Sequence, residues 1–597
     1  MNPVPPPPPS INTTMSDGRS SILNATVAYP SYLPPTDRLW SFVDDATGID
    51  WYAPMLAIQQ LSKLPFASLA IPPPPPLVFP PGELTLSKIL PDEQIFSLLN
   101  LFDERYTPWL NFKPARNTNS AVLDMVCCAV AARHLDNSPA SIQAKMLLQK
   151  LTDDSIAKII MNPRPHESVE SIQALLILSL WAPLGGPVDN EGRDGRLLVA
   201  SAVSMAMNLR LNQASLKASS LRKRILNPDE QRKLVEAVDN ARLWIALTNT
   251  ESMLCLGTGR IPLSRRSPED LHEVQFPKAF HHDTNYNDLR LGLVASAFDL
   301  LEDGANNRLQ AGMDVDEWYD QITVILEKMK RVKRLMGPLP FVLEREQFYF
   351  HMLNIYEAMC RLLILYHAMW DARGSVGSVP PGESWHQFFK PHGMEAVGEW
   401  GREMAISTEA LLTYVLAADS RLLSTAPDNI FTMVALTSGY LIGVKFLMFR
   451  GGTDLLGSSD LLLSKVVSQL GSAVCGPGHA AQRTALLVRG MIAKWEARHR
   501  PPPQRPTPNR SPSSQPFPSS SLPLPSPSSY PTPNSDGSMV QKTPNSEFLE
   551  LSAFTEPLNQ MSPLPDIDFS LFMDSMSMDP EFWGNLAQQA HLLPGHE

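Results

Sequence analysis

Residues 168–181 read SVESIQALLILSLW. Val169, Ile172, Leu175, Leu176 and Leu180 recur at three- and four-residue steps, the period of a helical face and not the alternation of a strand. Ser168 stands where a helix N-cap accepts a backbone N–H, and Pro183 with Gly185-Gly186 ends the run. The same signals recur on either side. Asp92-Glu93 place acid at a helix start before Ile95, Phe96, Leu98, Leu99 and Phe102. A second helix is expected near 121–134, and Ser138-Pro139 opens a third through Met146, Leu147, Leu148 and Leu151. Beyond residue 190, helices are expected over 195–211, 229–255, 290–301, 315–334, 343–370, 396–416, 428–449, 461–470 and 480–498. No segment shows strand alternation closed by hairpin turns, so the expected fold is all-α.

Composition sets the boundaries. Prolines number 56 in 597 residues and are unevenly spread, with oligoproline runs at Pro5 to Pro9 and Pro72 to Pro76. Residues 1–90 therefore read as a disordered proline-rich leader, interrupted by an aromatic patch from Leu39 to Tyr52 able to dock on the body or on a partner. Residues 91–499 read as the helical body. It exceeds the roughly 250–300 residues at which one core stops growing, so two packed lobes are expected. Residues 500–545 read as a linker, because 14 prolines and 11 serines between Pro501 and Asn545 bury too little apolar surface to offset chain entropy.

The formal charge is −11, and residues 546–597 carry nine acids and no Lys or Arg, leaving −2 for everything before them. The body thus lacks a positive field for wrapping nucleic acid. Five cysteines, at 127, 128, 255, 360 and 475, give neither a disulfide framework nor C-x-x-C spacing, and buried reduced thiols are expected. No secretory signal is read at the start, and the apolar run 429–444 is shorter than the ~20 residues of a membrane span. Nucleotide-binding glycine loops, the G-x-S-x-G elbow and H-E-x-x-H are absent, so an enzyme is not expected. His272-Glu273 and His281-His282-Asp283 read as a solvated loop, not a metal site. Arg222-Lys223-Arg224 and Lys328, Lys330, Arg331, Lys333 and Arg334 read as solvated helix faces, with nuclear import as the alternative.

Three sets of residues carry a resemblance. Ala202-Val203-Ser204-Met205-Ala206-Met207-Asn208-Leu209-Arg210-Leu211 is followed by Glu236 to Arg242-Leu243-Trp244 and by Gly259-Arg260-Ile261-Pro262. Upstream lie Leu90-Pro91 through Pro108-Trp109-Leu110 and Ala129 to Arg133, and downstream Pro427-Asp428-Asn429-Ile430-Phe431. Together they resemble the middle regulatory domain of fungal zinc-cluster transcription factors. Such domains carry an Ala-x-Arg-Met-Ala-x-x-Leu-Gly-Leu helix, an Arg-Arg-Leu-Trp-Trp helix and a Gly-Arg-Pro turn. Here Ser204 replaces the arginine, Arg210 the glycine, Ile245 the second tryptophan, and Ile261 splits Gly-Arg from Pro. The resemblance implies a nuclear regulator of RNA polymerase II transcription. It also implies two zinc ions in a six-cysteine N-terminal cluster, yet no cysteine precedes Cys127. No cofactor is therefore expected in this chain: it either begins within the linker after such a cluster or reaches DNA through a partner. A small-molecule effector and a homodimer are carried as expectations; a membrane contact is not. Trp181, Trp244, Met205 and Met207 are expected in the core, and Arg242 and Arg260 in helix-end or interhelical hydrogen bonds.

Residues 546–597 carry the candidate site. On a helix, Phe569, Phe572, Met573 and Met576 fall at i, i+3, i+4 and i+7, while Asp566, Asp568 and Asp574 repel one another in the free chain. Asp579-Pro580 can open a further turn bearing Phe582 and Trp583. Acidic-hydrophobic alternation is the composition of activation segments that fold into a partner's groove, so a coactivator is the expected partner. The alternatives are docking of the tail on its own body, a helical co-regulator or scaffold that never touches DNA, and an orphan enzyme.

Overall fold

The computed structural model describes residues 51–62, 83–110, 112, 114, 121–181, 193–223, 227–274, 287–336, 347–377, 385–450, 458–476 and 479–499. Among the described residues every regular element is helical, as the periodicity implied, and none is long and apolar enough to cross a membrane. In chain order the longer helices are α1 (Pro54–Leu61), α2 (Asp92–Arg105), α3 (Ala121–Ala131), α4 (Pro139–Met161), α5 (Val169–Leu180), α6 (Gly195–Asn208), α7 (Ala214–Arg222) and α8 (Pro228–Cys255). They continue as α9 (Pro268–Val274), α10 (Asn287–Asn306), α11 (Val315–Met336), α12 (Gln347–Ser375), α13 (Ala396–Ala417), α14 (Asp428–Arg450), α15 (Ser458–Ser472) and α16 (Ala480–His499).

Local chemistry fixes several starts. Ser138 and Ser168 accept the Ser141 and Ser171 amides at 3.3 and 3.1 Å. Asn227 and Glu230 close a reciprocal capping box, with Glu230 N–H on Asn227 Oδ1 at 2.8 Å and Asn227 N–H on Glu230 Oε2 at 3.1 Å. Helix α6 ends in a left-handed residue, but that residue is Arg210, with φ +58°. It stands where the resembling motif has glycine, the residue this conformation strains least.

Helices packed on one side are amphipathic; those at the centre are not. In α12 the run from Met352 to Trp370 is buried on every face, and α10, α11 and α13 pack around it. Helix α14 is buried from its first residue and takes α13, α16 and α1 on its sides. Helices α3, α5, α6 and α8 pack on one another in succession. The buried apolar side chains connect into one cluster from Trp51 to Met491, so the length-based expectation of two lobes is not accompanied by two separate cores.

Three expectations are corrected. Residues 51–62 are not leader but core: Trp51, Met55, Ile58 and Leu61 are at most 2% exposed. Tyr366 Oη donates to the Trp51 carbonyl at 2.6 Å, and Met55 N–H to the Gly257 carbonyl at 2.9 Å. Four large apolar side chains at helical spacing outweigh the ordering entropy of a segment this short. Phe96, taken as part of the α2 stripe, is exposed, because the buried face runs through Leu98 and Phe102. Met207 is exposed while Met205 is buried: two residues on a helix lie about 200° apart, so they cannot share a face. Trp181 and Trp244 are buried as expected.

Candidate functional site

The residues singled out in the tail, Asp566, Asp568, Phe569, Phe572, Met573, Met576, Phe582 and Trp583, lie outside the described residues, as do the linker, the Leu39–Val43 part of the aromatic patch and His281 to Asp283. The described residues bring together a different set, drawn from five places in the chain.

At its centre is Arg133, just beyond α3. Its Nη1 lies 3.2 Å from Asp428 Oδ1, and its Nη2 donates to the Trp181 carbonyl. Trp181 caps the C-terminus of α5, where carbonyls lack intrahelical donors and a cation is favoured. Asp428 opens α14, where amides lack acceptors and an anion is favoured. The guanidinium therefore joins the negative end of one helix to the acid at the positive end of another. Burial is the largest single influence and opposes its charge, but Asp428, Tyr106 and Cys475 together outweigh it and hold the Arg133 pKa above its ordinary value.

Indole and hydroxyl bonds brace the junction. Trp181 Nε1 donates to the Thr425 carbonyl at 2.9 Å, and Trp109 Nε1 reaches the Leu422 carbonyl at 3.2 Å and Thr425 Oγ1 at 3.3 Å. Thr425 Oγ1 lies 2.8 Å from the Arg105 carbonyl. Tyr106 stacks on Phe102, meets Trp181 edge-on, and shares a 3.1 Å hydrogen bond with His134 Nε2. Burial, with Arg105, Arg133 and Lys145, pushes the His134 pKa down to about 4, so the imidazole is neutral. Burial pushes the Tyr106 phenol well up.

On the other side of Asp428, His479 and Arg483 come from the start of α16. His479 meets the Phe431 ring edge-on, and burial, then Arg133, His134 and Arg483, pushes its pKa down to about 3. Arg483 is lowered by burial and by Arg133, with Asp428 acting in its favour. A cleft between α1, α14 and α16, lined by Ile58, Ser62, Asp428, Thr432, Arg483 and Thr484, has a volume near 10 Å³. That is room for about one water, not for a metabolite.

Other charged residues are spent on packing. Arg242, expected in interhelical bonds, forms a two-pronged pair with Asp288 at 2.7 and 2.8 Å. Arg266, nearly buried, bridges Asp299, Glu302, Asn249 and Ser252. Glu251 takes the Leu263 and Ser264 amides at 3.0 and 2.8 Å, which fixes the loop after α8. Arg260 is exposed on that loop. None of the five cysteines forms a disulfide, and Cys127, Cys128 and Cys360 are buried. Burial, then Glu251, pushes the Cys255 thiol up to about 12, so it is protonated at neutral pH. Among the described residues no three His, Cys, Asp or Glu side chains are grouped to hold a metal ion.

The junction unites three stretches that carry the resemblance, Pro108-Trp109-Leu110, Ala129 to Arg133 and Pro427 to Phe431, although Trp109 and Thr425 are 316 residues apart. Each stretch is visible in the sequence; their meeting is not. No family model, curated protein or solved structure matches the chain.

Proposed function

We propose that the chain is a transcriptional regulator whose helical body carries an acidic activation segment at residues 546–597. The observation that carries the reading is the concentration of charge: nine acids and no Lys or Arg in 52 residues, interleaved with Phe569, Phe572, Met573, Met576, Phe582 and Trp583. Such a segment offers apolar anchors to a coactivator groove, while Asp566, Asp568 and Asp574 speed encounter with basic surfaces. Two further observations support the reading. The motif stretches of the zinc-cluster resemblance adjoin one another at the Arg133–Asp428 junction, and Arg210 is left-handed where the resembling motif has glycine. The body is close to neutral, so DNA contact is assigned to a partner or to a separate zinc cluster, and the site of action to the nucleus.

Fusing residues 546–597 to an unrelated DNA-binding domain tests the proposal. The fusion is expected to activate a reporter, and Phe569→Ala, Phe572→Ala and Met573→Ala together to remove most of that activity. Each anchor fully buried in a groove is worth about 1.5–3 kcal/mol, against about 2–5 kcal/mol for coupled folding. A triple variant as active as its parent rules out this stripe as the contact surface.

A further inference from the structure

The loop after α8 is clamped on both sides and yet shows apolar side chains to solvent. It carries the Gly259-Arg260-Ile261-Pro262 stretch, and Gly257 and Gly259 turn its first part at φ +58° and +70°. Glu251, itself buried, holds the Leu263 and Ser264 amides and accepts from Ser264 Oγ. Further on, Ser267 and Asp270 cap each other at 2.9 and 3.1 Å, and Arg266 is tied to α10 through Asp299 and Glu302. Between these clamps Ile261 is 66% and Leu263 72% exposed. Arg260 and Arg265 are exposed beside them and make no ion pair among the described residues. Asp194, near enough for the Arg260 charge to act on it, is already held by Arg196 at 3.1 Å. Glu269 is exposed in the first turn of α9, where the helix amides favour an acid. A preorganised loop with two aliphatic side chains between two arginines has the form of a contact surface.

We propose that this loop is the docking site for the chain's own segment 39–50, with Trp40 and Phe42 on Ile261 and Leu263 and with Asp44 and Asp45 beside Arg260 and Arg265. Position favours this occupant. Segment 39–50 runs directly into Trp51, and the Met55 amide, four residues on, bonds the Gly257 carbonyl at the foot of the loop at 2.9 Å. Tyr52 lies under Arg308, just past the end of α10, and Arg266 holds Glu302 near the end of the same helix. At up to ~3.3 Å per residue, the chain from Phe42 to Trp51 reaches ~30 Å, so the segment is tethered within range of the loop. Chemistry favours it too. Leu39, Trp40, Phe42 and Val43 are followed by Asp44, Asp45 and Asp50, and no Lys or Arg stands in 39–50. Other stretches lack one of these properties. Residues 63–82, on the far side of α1, hold no acid, and residues 182–192, which lead into α6, hold no aromatic. Residues 546–597 hold both but reach the body only through the 46 residues from 500 to 545, which lowers their local concentration at the loop. The docking needs nothing from the activation segment, so either can fail while the other stands.

Photo-cross-linking of the full chain at low salt, with a benzophenone side chain in place of the exposed Leu263, provides the test. Mass spectrometry is expected to place the adducts within residues 39–50 of the same molecule. Arg260→Glu with Arg265→Glu reverses both charges on a loop that Glu251 still holds. Chymotryptic cleavage after Trp40 and Phe42 is then expected to accelerate about tenfold as the undocked population rises. Adding Asp44→Arg and Asp45→Arg is expected to return most of the protection, each rate being taken relative to a synthetic peptide of the same sequence. Adducts that map chiefly to 182–192 or 546–597, that form only between differently isotope-labelled copies, or that are absent overturn the proposal. So does cleavage of the parent chain at the peptide's rate, and so does cleavage unchanged by the two arginine substitutions.

Discussion

Arg133 and Asp428, 295 residues apart in the chain, form a largely buried ion pair in which the same guanidinium also caps the Trp181 carbonyl. Asp428 is the carboxylate paired with Arg133, and Arg483 relies on it too. Asp428→Asn therefore leaves two guanidiniums facing each other without that countercharge. Removing one partner of a buried pair costs about 3–5 kcal/mol, and the partial exposure of Arg133 favours the lower end. The expected outcome in urea denaturation is a loss near 3 kcal/mol, with part recovered when Arg133→Met is added. A loss under about 1 kcal/mol would show that the pair is not what joins these helices.

Buried histidines make the body acid-sensitive, His134 and two that are more enclosed. His367 and His479 are held neutral, their pKa values pushed down to about 3, by burial first and then by neighbouring cations, Arg308 in one case and Arg133 in the other. In the unfolded chain both titrate near 6.5. Below that pH the unfolded state takes up protons that the folded state refuses, so stability falls as pH drops from 6.5 towards 3. Each residue contributes a loss of about 2 kcal/mol by pH 5. Denaturation midpoints measured between pH 7 and 5 are expected to show this slope, and His367→Gln and His479→Gln each to flatten it. An unchanged slope in both variants would place the acid sensitivity elsewhere.

Arg210 gives a stabilising substitution. A left-handed conformation costs a non-glycine residue roughly 1–2 kcal/mol, part of which a glycine returns through its freer unfolded chain. Arg210→Gly is expected to raise stability by about 0.5–1 kcal/mol, seen as a higher thermal midpoint. A lowered midpoint would mean that the exposed Arg210 side chain makes contacts worth more than the strain.

How legible the fold was follows from the range of each signal. Ser138, Ser168 and the Asn227–Glu230 box act within three residues, and the helices they start lie close to where the sequence places them. Periodicity is likewise local, so it found Leu98 and Phe102, but it could not show that Phe96 faces solvent, since neighbouring helices settle how wide a buried face is. The junction was least legible. Trp109, Arg133, Trp181 and Asp428 are each conspicuous, but a pairing across about 300 residues leaves no periodic trace. The segment 51–62 was hidden for another reason. The prolines on both sides outweighed four anchors whose i, i+4, i+7 and i+10 spacing was there to read.

Helix α1 is attached at three points: its apolar face on α14, Tyr366 Oη on the Trp51 carbonyl, and Met55 N–H on the Gly257 carbonyl. Gly257 has φ +58°, and a Cβ there would lie 2.8 Å from Met55 Cγ and 3.2 Å from Leu363 Cδ2. Gly257→Ala thus adds backbone strain of about 1–3 kcal/mol and pushes on the side chain that anchors α1. Because α1 is short and is joined to α2 through residues 62–91, it can detach without the rest of the core opening. The expected outcome is local: amide exchange across 54–61 accelerates at least tenfold in Gly257→Ala, while exchange in α12 and α14 changes little. Uniform acceleration through all three helices would show that α1 opens only with the whole core, and no change would show that Gly257 does not hold it.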